Sequence, residues 1–417
     1  MQLLILSIFA AIYLVQTPDK ISYLDYPVFN NAVHQENPDK NGFFEIKYEE
    51  LLKQKNICHL SQIATDVQYI QLETNEHCLI SELAKYYFSD SLIFVADKDH
   101  VLEFSINGKF IRQIGKPGNG PGEISSIIMM SVLPKQRMIV IHDHIKSKMI
   151  YFSFNGNFIK TVTVPRHKYI KVLYNGMYIS YEEALGKSEE NYFSLTNESG
   201  KIISAAKNYN QWSIRSGQPA IILNWFFEPF YLYQKNTFFK TMFNDTVYTI
   251  NENKIIPRYF INLGKSKLPE EKRPERINNQ QSGVFRENSS DYFWATVFEA
   301  GEKIFLKTIP LGDGSTNYFL INKKDFINNT NPSYNGTSKG FILNDWDGGI
   351  FFWPDGNIND NQVFMPLDII QLKKYQKTMR TQSIAAKHPD KQRIWEKIVL
   401  KSDETSNPIL MIVTLKP

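Results

Sequence analysis

The 417-residue chain has only two cysteines, Cys58 and Cys78. A framework of several disulfides is therefore excluded, and stability must come from a packed core. It lacks a surplus of either charge: 47 basic residues face 43 acidic ones, a net +4. That excludes the concentrated basic face of a general nucleic-acid binder. No run of about 20 apolar residues, the length that spans a bilayer, is present. The sequence also lacks a Walker loop, a catalytic-triad signature, a recognisable metal-ligand spacing and a cofactor fingerprint, so no cofactor is expected.

One shorter apolar run, Met1 to Val15, opens the chain. It fits the hydrophobic region of a secretory signal, with a signal peptide expected over 1–16 and mature protein beginning near residues 16–20. No Lys or Arg precedes it and no small-x-small cleavage site follows it. A buried first strand or helix is the alternative. No cysteine ends the run, so it offers no lipidation site. The expectation is an exported protein of the periplasm or cell envelope, with an extension over 17–60 and one domain over 61–417. Cys58 and Cys78 are either paired across a loop of about 20 residues or two unlinked buried thiols.

Aromatic residues are abundant, with 29 Phe and 22 Tyr. They suit pleated, half-buried surfaces. An octet repeats: Phe104-Ser-Ile-Asn107-Gly108-Lys-Phe-Ile111 returns as Phe152-Ser-Phe-Asn155-Gly156-Asn-Phe-Ile159, 48 positions later. Each copy is a strand, an Asn-Gly turn and a second strand. The turn predicts a two-residue type I′ hairpin with φ > 0 at both residues. Hairpins at a period of roughly 40–50 residues mark propeller blades.

One blade spans Ile127–Leu133, Met138–Ile141, Lys148–Phe154 and Asn157–Val164. The preceding one spans Leu79–Phe88, Leu92–Ala96, Val101–Ile106 and Lys109–Ile114. Asp97 and Asp143 end matching strands, where their side chains can bond backbone N–H groups. Weaker copies follow. A third has Met177–Tyr181, Tyr192–Leu195 and Lys201–Ala205. A fourth begins at Ile221–Phe227 and runs to Lys254–Leu263. Residues 264–290 are polar and read as an insertion loop. A fifth blade resumes at Asp291–Glu299, and a sixth opens with Gly348–Trp353. Pro366–Met379 and Pro389–Leu400 carry helical signals, which makes 366–401 a helical insertion. The strand Pro408–Leu415 then closes the ring against Asp66–Glu73. The fold class is all-β: a six-bladed β-propeller with four-stranded blades and a short helical insertion before its closing strand.

These segments resemble the six-bladed propeller proteins common in the envelope of Bacteroidetes, which are related to NHL-type propellers. The resemblance rests on Ala64–Thr74, the Asn-Gly hairpins, Gly115–Glu123, Asp245–Ile250, Phe260–Gly264 and Asn407–Lys416. It implies the propeller fold over about residues 60–416. It implies no catalytic motif.

Few residues stand out as chemistry. Glu123 is the one carboxylate in Gly115–Glu123, a glycine-rich stretch that reads as an inter-blade crossover. It precedes an innermost strand and is a candidate to face the channel. Trp346, Asp347 and Trp353 surround the start of blade six and are the other candidate ligand contacts. Trp294 and Trp353 are expected on innermost strands, where core packing is the plainer role for a tryptophan. His142-Asp143-His144 puts two imidazoles on one strand face, a spacing metal sites use, although a solvated strand end explains it as well. Cys58-His59 and His77-Cys78 form a mirrored pair whose neighbours point apart on a strand, against a shared ion. The stretch 371–401 carries nine basic residues against Asp390 and Glu396, a net +7. Such a patch suits anionic lipid head groups or acidic glycans, or is the solvated face of two surface helices.

The leading expectation is a non-catalytic propeller, monomeric, that binds a glycan or a protein partner at its channel. The alternative is a metal-dependent hydrolase or lyase, resembling lactonases, with acidic and amide side chains converging at the channel mouth.

Overall fold

The computed structural model describes residues 44–53, 58–89, 91–165, 169–173, 175–181, 191–207, 228–241, 244–251, 253–269, 291–311, 315–324, 328–329, 342–379 and 385–417. The apolar run 1–15, the expected strand 221–227 and residues 270–290 of the expected insertion lie outside them.

Six sheets form a ring, each with its first strand innermost. Blade one is Lys85–Ser89, Leu92–Asp97, His100–Ser105 and Phe110–Ile114. Blade two is Ile127–Leu133, Met138–Asp143, Lys148–Ser153 and Phe158–Thr163. Blade three is Tyr169–Val172, Tyr178–Tyr181, Asn191–Thr196 and Ile202–Lys207. Blade four is Phe230–Tyr233, Asn236–Phe239, Thr246–Asn251 and Lys254–Asn262, with Phe44–Lys47 added in parallel outside it. Blade five is Phe293–Ala300, Lys303–Pro310, Asn317–Asn322 and Asn328–Asn329. Blade six is Gly356–Asn357, Gln362–Leu367, Ile409–Leu415 and Ala64–Gln71.

The ring closes as expected: Ile409–Leu415 pairs antiparallel with Ala64–Gln71 on one side and Gln362–Leu367 on the other. Chain parts more than 300 residues apart thus share one sheet. The second and third strands of a blade are covered on both faces, so they are continuous apolar runs such as Leu92–Asp97 rather than alternating ones. Outermost strands such as Phe158–Thr163 are exposed. Apolar clusters fill the gaps between blades. Phe94, Ile114, Met130 and Phe152 join blades one and two. Leu102, Phe104 and Leu410 join blades one and six.

The repeated turn is not type I′. Gly108 and Gly156 have φ of +81° and +82°, whereas neither Asn107 nor Asn155 is left-handed. Gly108 N–H donates to Ser105 O, and Ser105 N–H donates to Lys109 O. The loop is a type I turn followed by a left-handed glycine and a bulge, and the pairing register shifts there. Only the glycine needs φ > 0. The same bonds recur at 173–177 and 197–201.

Asp97 and Asp143 do act as strand-end anchors. Asp97 accepts from Ser81 N–H at 2.6 Å, and Asp143 accepts from Ser125 N–H at 2.7 Å. Each ties the approach to its blade's innermost strand. Blade six departs from expectation. Its innermost strand is Gly356–Asn357, not 348–353, and residues 366–367 belong to a strand. The helices run Ile369–Met379 and Pro389–Lys401. Trp395 and Val399 bury the second helix on blade six. Among the described residues no helix is long and apolar enough to cross a membrane.

Cys58 and Cys78 are unlinked and buried. Burial pushes the Cys58 thiol up to about 12. Both thiols should resist a thiol-specific reagent until the protein unfolds. A reducing agent should leave the melting temperature unchanged, and a shift would reveal a disulfide.

Candidate functional site

Of the four residues singled out by position, Trp346 and Trp353 share one core cluster with Asp347 beside them, and Glu123 stands apart. Glu123 folds back on its own crossover. Its carboxylate accepts from Gly120 N–H at 2.7 Å and pairs with Lys116 at 3.2 Å, which holds it below the usual carboxylate range. A Cβ at Gly118, whose φ is +151°, would lie 2.1 Å from that carboxylate, so the glycine lets the loop close.

Trp353 sits in the core of blades five and six, edge-on to Tyr318 at 4.9 Å and to Phe305 at 5.7 Å. It is on no innermost strand, because the strand it was expected to occupy does not form. Trp294 does lie on one, Phe293–Ala300. Trp346 stacks on His388 with ring centres 4.0 Å apart. Asp347 is fully buried and accepts from Tyr69 Oη at 2.7 Å and from Gly349 N–H at 3.0 Å. Burial pushes its carboxyl up. Tyr69 belongs to the outermost strand of blade six, so this carboxylate ties its turn to the closing sheet.

His142 is no solvated strand end. It is 1% exposed, its Nδ1 accepts from Ile170 N–H at 3.3 Å, and burial pushes its imidazole down to about 3. Blade three covers it. His144 stacks on Tyr169 instead. Cys58–His59 pairs with Ile342–Leu343 and Cys58 belongs to the core cluster of blades five and six, whereas Cys78 belongs to the cluster of blades one and six and its Sγ donates to Glu73 O. The described residues contain no group of three or more His, Cys, Asp or Glu placed to hold a metal ion.

A different set of polar groups meets at the channel. Lys85 and Tyr87 lie on the innermost strand of blade one, and Lys171 on that of blade three. Glu228 leads into that of blade four. Tyr87 Oη donates to Glu228 Oε2 at 3.2 Å, and Lys171 Nζ donates to Oε1 at 2.9 Å. Lys85 Nζ donates to Ile128 O on blade two. The Lys171 ammonium stands 5.3 Å from the Phe230 ring and 5.8 Å from the Tyr87 ring. Burial pushes the Lys85 ammonium down, against the pull of Glu228, and pushes the Tyr87 phenol well up.

Lys85 opens its strand and Glu228 precedes one, whereas Tyr87 and Lys171 are each the third residue of theirs. Blades four and six are also tied to each other: Asn357 bonds Leu232 O, and Gln234 N–H donates to Asp360 at 2.6 Å. The described group thus holds two ammonium groups and one carboxylate beside two aromatic faces. It suits an anionic group, with Tyr87 and Phe230 offering apolar contact. Position gave one usable signal. A lysine within a short strand of apolar and aromatic neighbours, as in Lys85-Tyr-Tyr-Phe and Tyr169-Ile-Lys-Val172, is costly unless partnered.

Six four-stranded blades, closed by the pairing of Ile409–Leu415 with Ala64–Gln71 and carrying a polar group between their innermost strands, define a six-bladed β-propeller. Residues 43–414 match the family described as a domain of unknown function, DUF4934, and the chain belongs to it. It resembles a solved Bacteroides fragilis protein whose export is assumed in its name, at a TM-score of 0.68 and 18% identity. That match covers 90% of this chain and all of the other. A member of the DUF4221 family from Bacteroides vulgatus aligns over 87% of this chain and 99% of its own, at a TM-score of 0.46 and 11% identity. No functionally curated protein matches the sequence.

Proposed function

We propose that the protein is an exported, non-catalytic binding propeller of the cell envelope whose ligand, a glycan or a segment of a protein partner, presents an anionic group to the channel mouth. The observation that carries this reading is the meeting of Lys85, Tyr87, Lys171 and Glu228 from three blades across the channel. A rigid ring holds these groups at fixed spacing, so little ordering is needed on binding. The apolar run 3–15 and the likeness to the Bacteroides fragilis protein support export.

The test is a glycan array, with neutral and carboxylate-bearing sugars, probed with the full chain. Carboxylate-bearing glycans should be retained, and Lys85→Met and Lys171→Met should each weaken binding about tenfold, the loss of one charge-assisted contact. Glu123→Ala and Trp353→Phe should bind as wild type. Retention that survives both lysine variants, each with its melting temperature checked, would place the ligand elsewhere.

A further inference from the structure

The two helices before the closing strand do more than pack. Lys391 of the second helix reaches Asp66 of blade six at 2.8 Å and Lys387, just before that helix, reaches Asp345 at 2.9 Å, so part of the basic stretch ties the second helix down. The second helix buries Trp395 and Val399 and turns Arg393, Ile394, Lys397, Leu400 and Lys401 outward. Its neighbour turns Ile370 and Lys377 outward. Leu400 is 78% exposed, the most of any large apolar side chain among the described residues, and Ile370 and Ile394 are about half exposed.

A face that sets bare aliphatic side chains among ammonium and guanidinium groups differs from an ordinary solvated helix, which keeps its apolar residues inward. A polyanionic glycan would use the charges and leave Ile394 and Leu400 in water. A bilayer of anionic lipid uses both: head groups meet the cations, and the aliphatic tips enter the boundary beneath. The acidic neighbours do not cancel the face. Asp390 lies at the start of a 13-residue helix, about 16 Å from its end. Glu396, bonded by Gln392 Nε2, and Asp403, bonded by Thr405 and Ser406, keep their charge but are outnumbered by the exposed Lys374, Lys377, Arg393, Lys397 and Lys401. Glu404 remains near Lys401.

We propose that this helix face docks the propeller on the surface of an anionic phospholipid membrane, as a peripheral contact that does not cross it. The channel group takes no part, so this docking is independent of the ligand proposed above.

The experiment is co-sedimentation of the full chain with vesicles of phosphatidylcholine containing 30% phosphatidylglycerol, against phosphatidylcholine alone. The protein should sediment with the anionic vesicles only, and 0.5 M salt should release most of it, since exposed charges are then screened within a few ångströms. Lys397→Gln with Lys401→Gln should cut partitioning about thirtyfold, and Leu400→Ser about tenfold. Both changes are on the surface, so melting temperatures should stay put. Lys171→Met should sediment as wild type, which separates this proposal from the channel. Equal sedimentation with neutral vesicles would overturn it. So would binding to soluble polyuronate that loses to the lysine changes but not to Leu400→Ser, the result expected of a glycan-binding face.

Discussion

Deleting residues 408–417 should abolish the cooperative unfolding transition and leave an insoluble or dye-binding chain. Ile409, Leu410, Met411 and Val413 have no measurable exposure. Their strand hydrogen-bonds to Gln362–Leu367 and to Ala64–Gln71, so its loss separates blade six into two unpaired pieces. It also uncovers the clusters shared with blades five and one. A ring with one sheet split has exposed edges where none existed. Met411→Ala, a milder change in the same strand, should cost about 2–5 kcal/mol in urea unfolding. A soluble truncated protein that melts at the wild-type temperature would refute the closure argument.

Acid should weaken the fold through His142. In the folded protein its imidazole is held neutral down to about 3. In the unfolded chain it takes a proton near pH 6.5. Between those values the unfolded state binds the extra proton, so stability falls as pH falls. The slope is at most about 1.4 kcal/mol per pH unit, or about 3 kcal/mol between pH 6.5 and pH 4. His142→Asn keeps an acceptor for Ile170 N–H and cannot titrate. It should lose some stability at pH 7 but show a flatter decline toward pH 4. Carboxylates titrate in both proteins, so the difference in urea midpoints between pH 7 and pH 4 isolates the histidine. Parallel declines would show that His142 is not held neutral.

What could be read from the chain depended on where local chemistry decides the structure. Blades one and two announce themselves because apolar runs are punctuated by Asn-Gly, although the glycine alone is left-handed. The first strand of blade four was hidden. Its hairpin turns at Gln234–Lys235, both with φ > 0 and neither a residue that signals a turn. Blade six misled in the opposite way. Gly348–Trp353 has the composition of a strand, yet Phe352 and Trp353 are drawn into the core with Phe305 and Tyr318. The innermost strand falls to the nondescript Gly356–Asn357. His142 looked like a solvated end because the strand that buries it comes 28 positions later. The channel group was illegible for the same reason on a larger scale. Tyr87 and Glu228 lie 141 positions apart, and only ring closure makes them neighbours.

Phe44–Lys47 lies against residues 259–262, and Ala64–Gln71 against residues 409–415. A chain made from its N-terminus therefore holds the first strand without a partner until residue 262 is made, and the second until residue 415 is made. Neither can be stored in a finished sheet in the meantime. Contacts of such high sequence separation make for slow folding, because the loop must close before the pairing rewards it. Blades one to three can assemble on local hairpins early. The last event should then be the capture of the waiting strands, and a nascent protein is most vulnerable to proteases and to strand exchange in the interval before it.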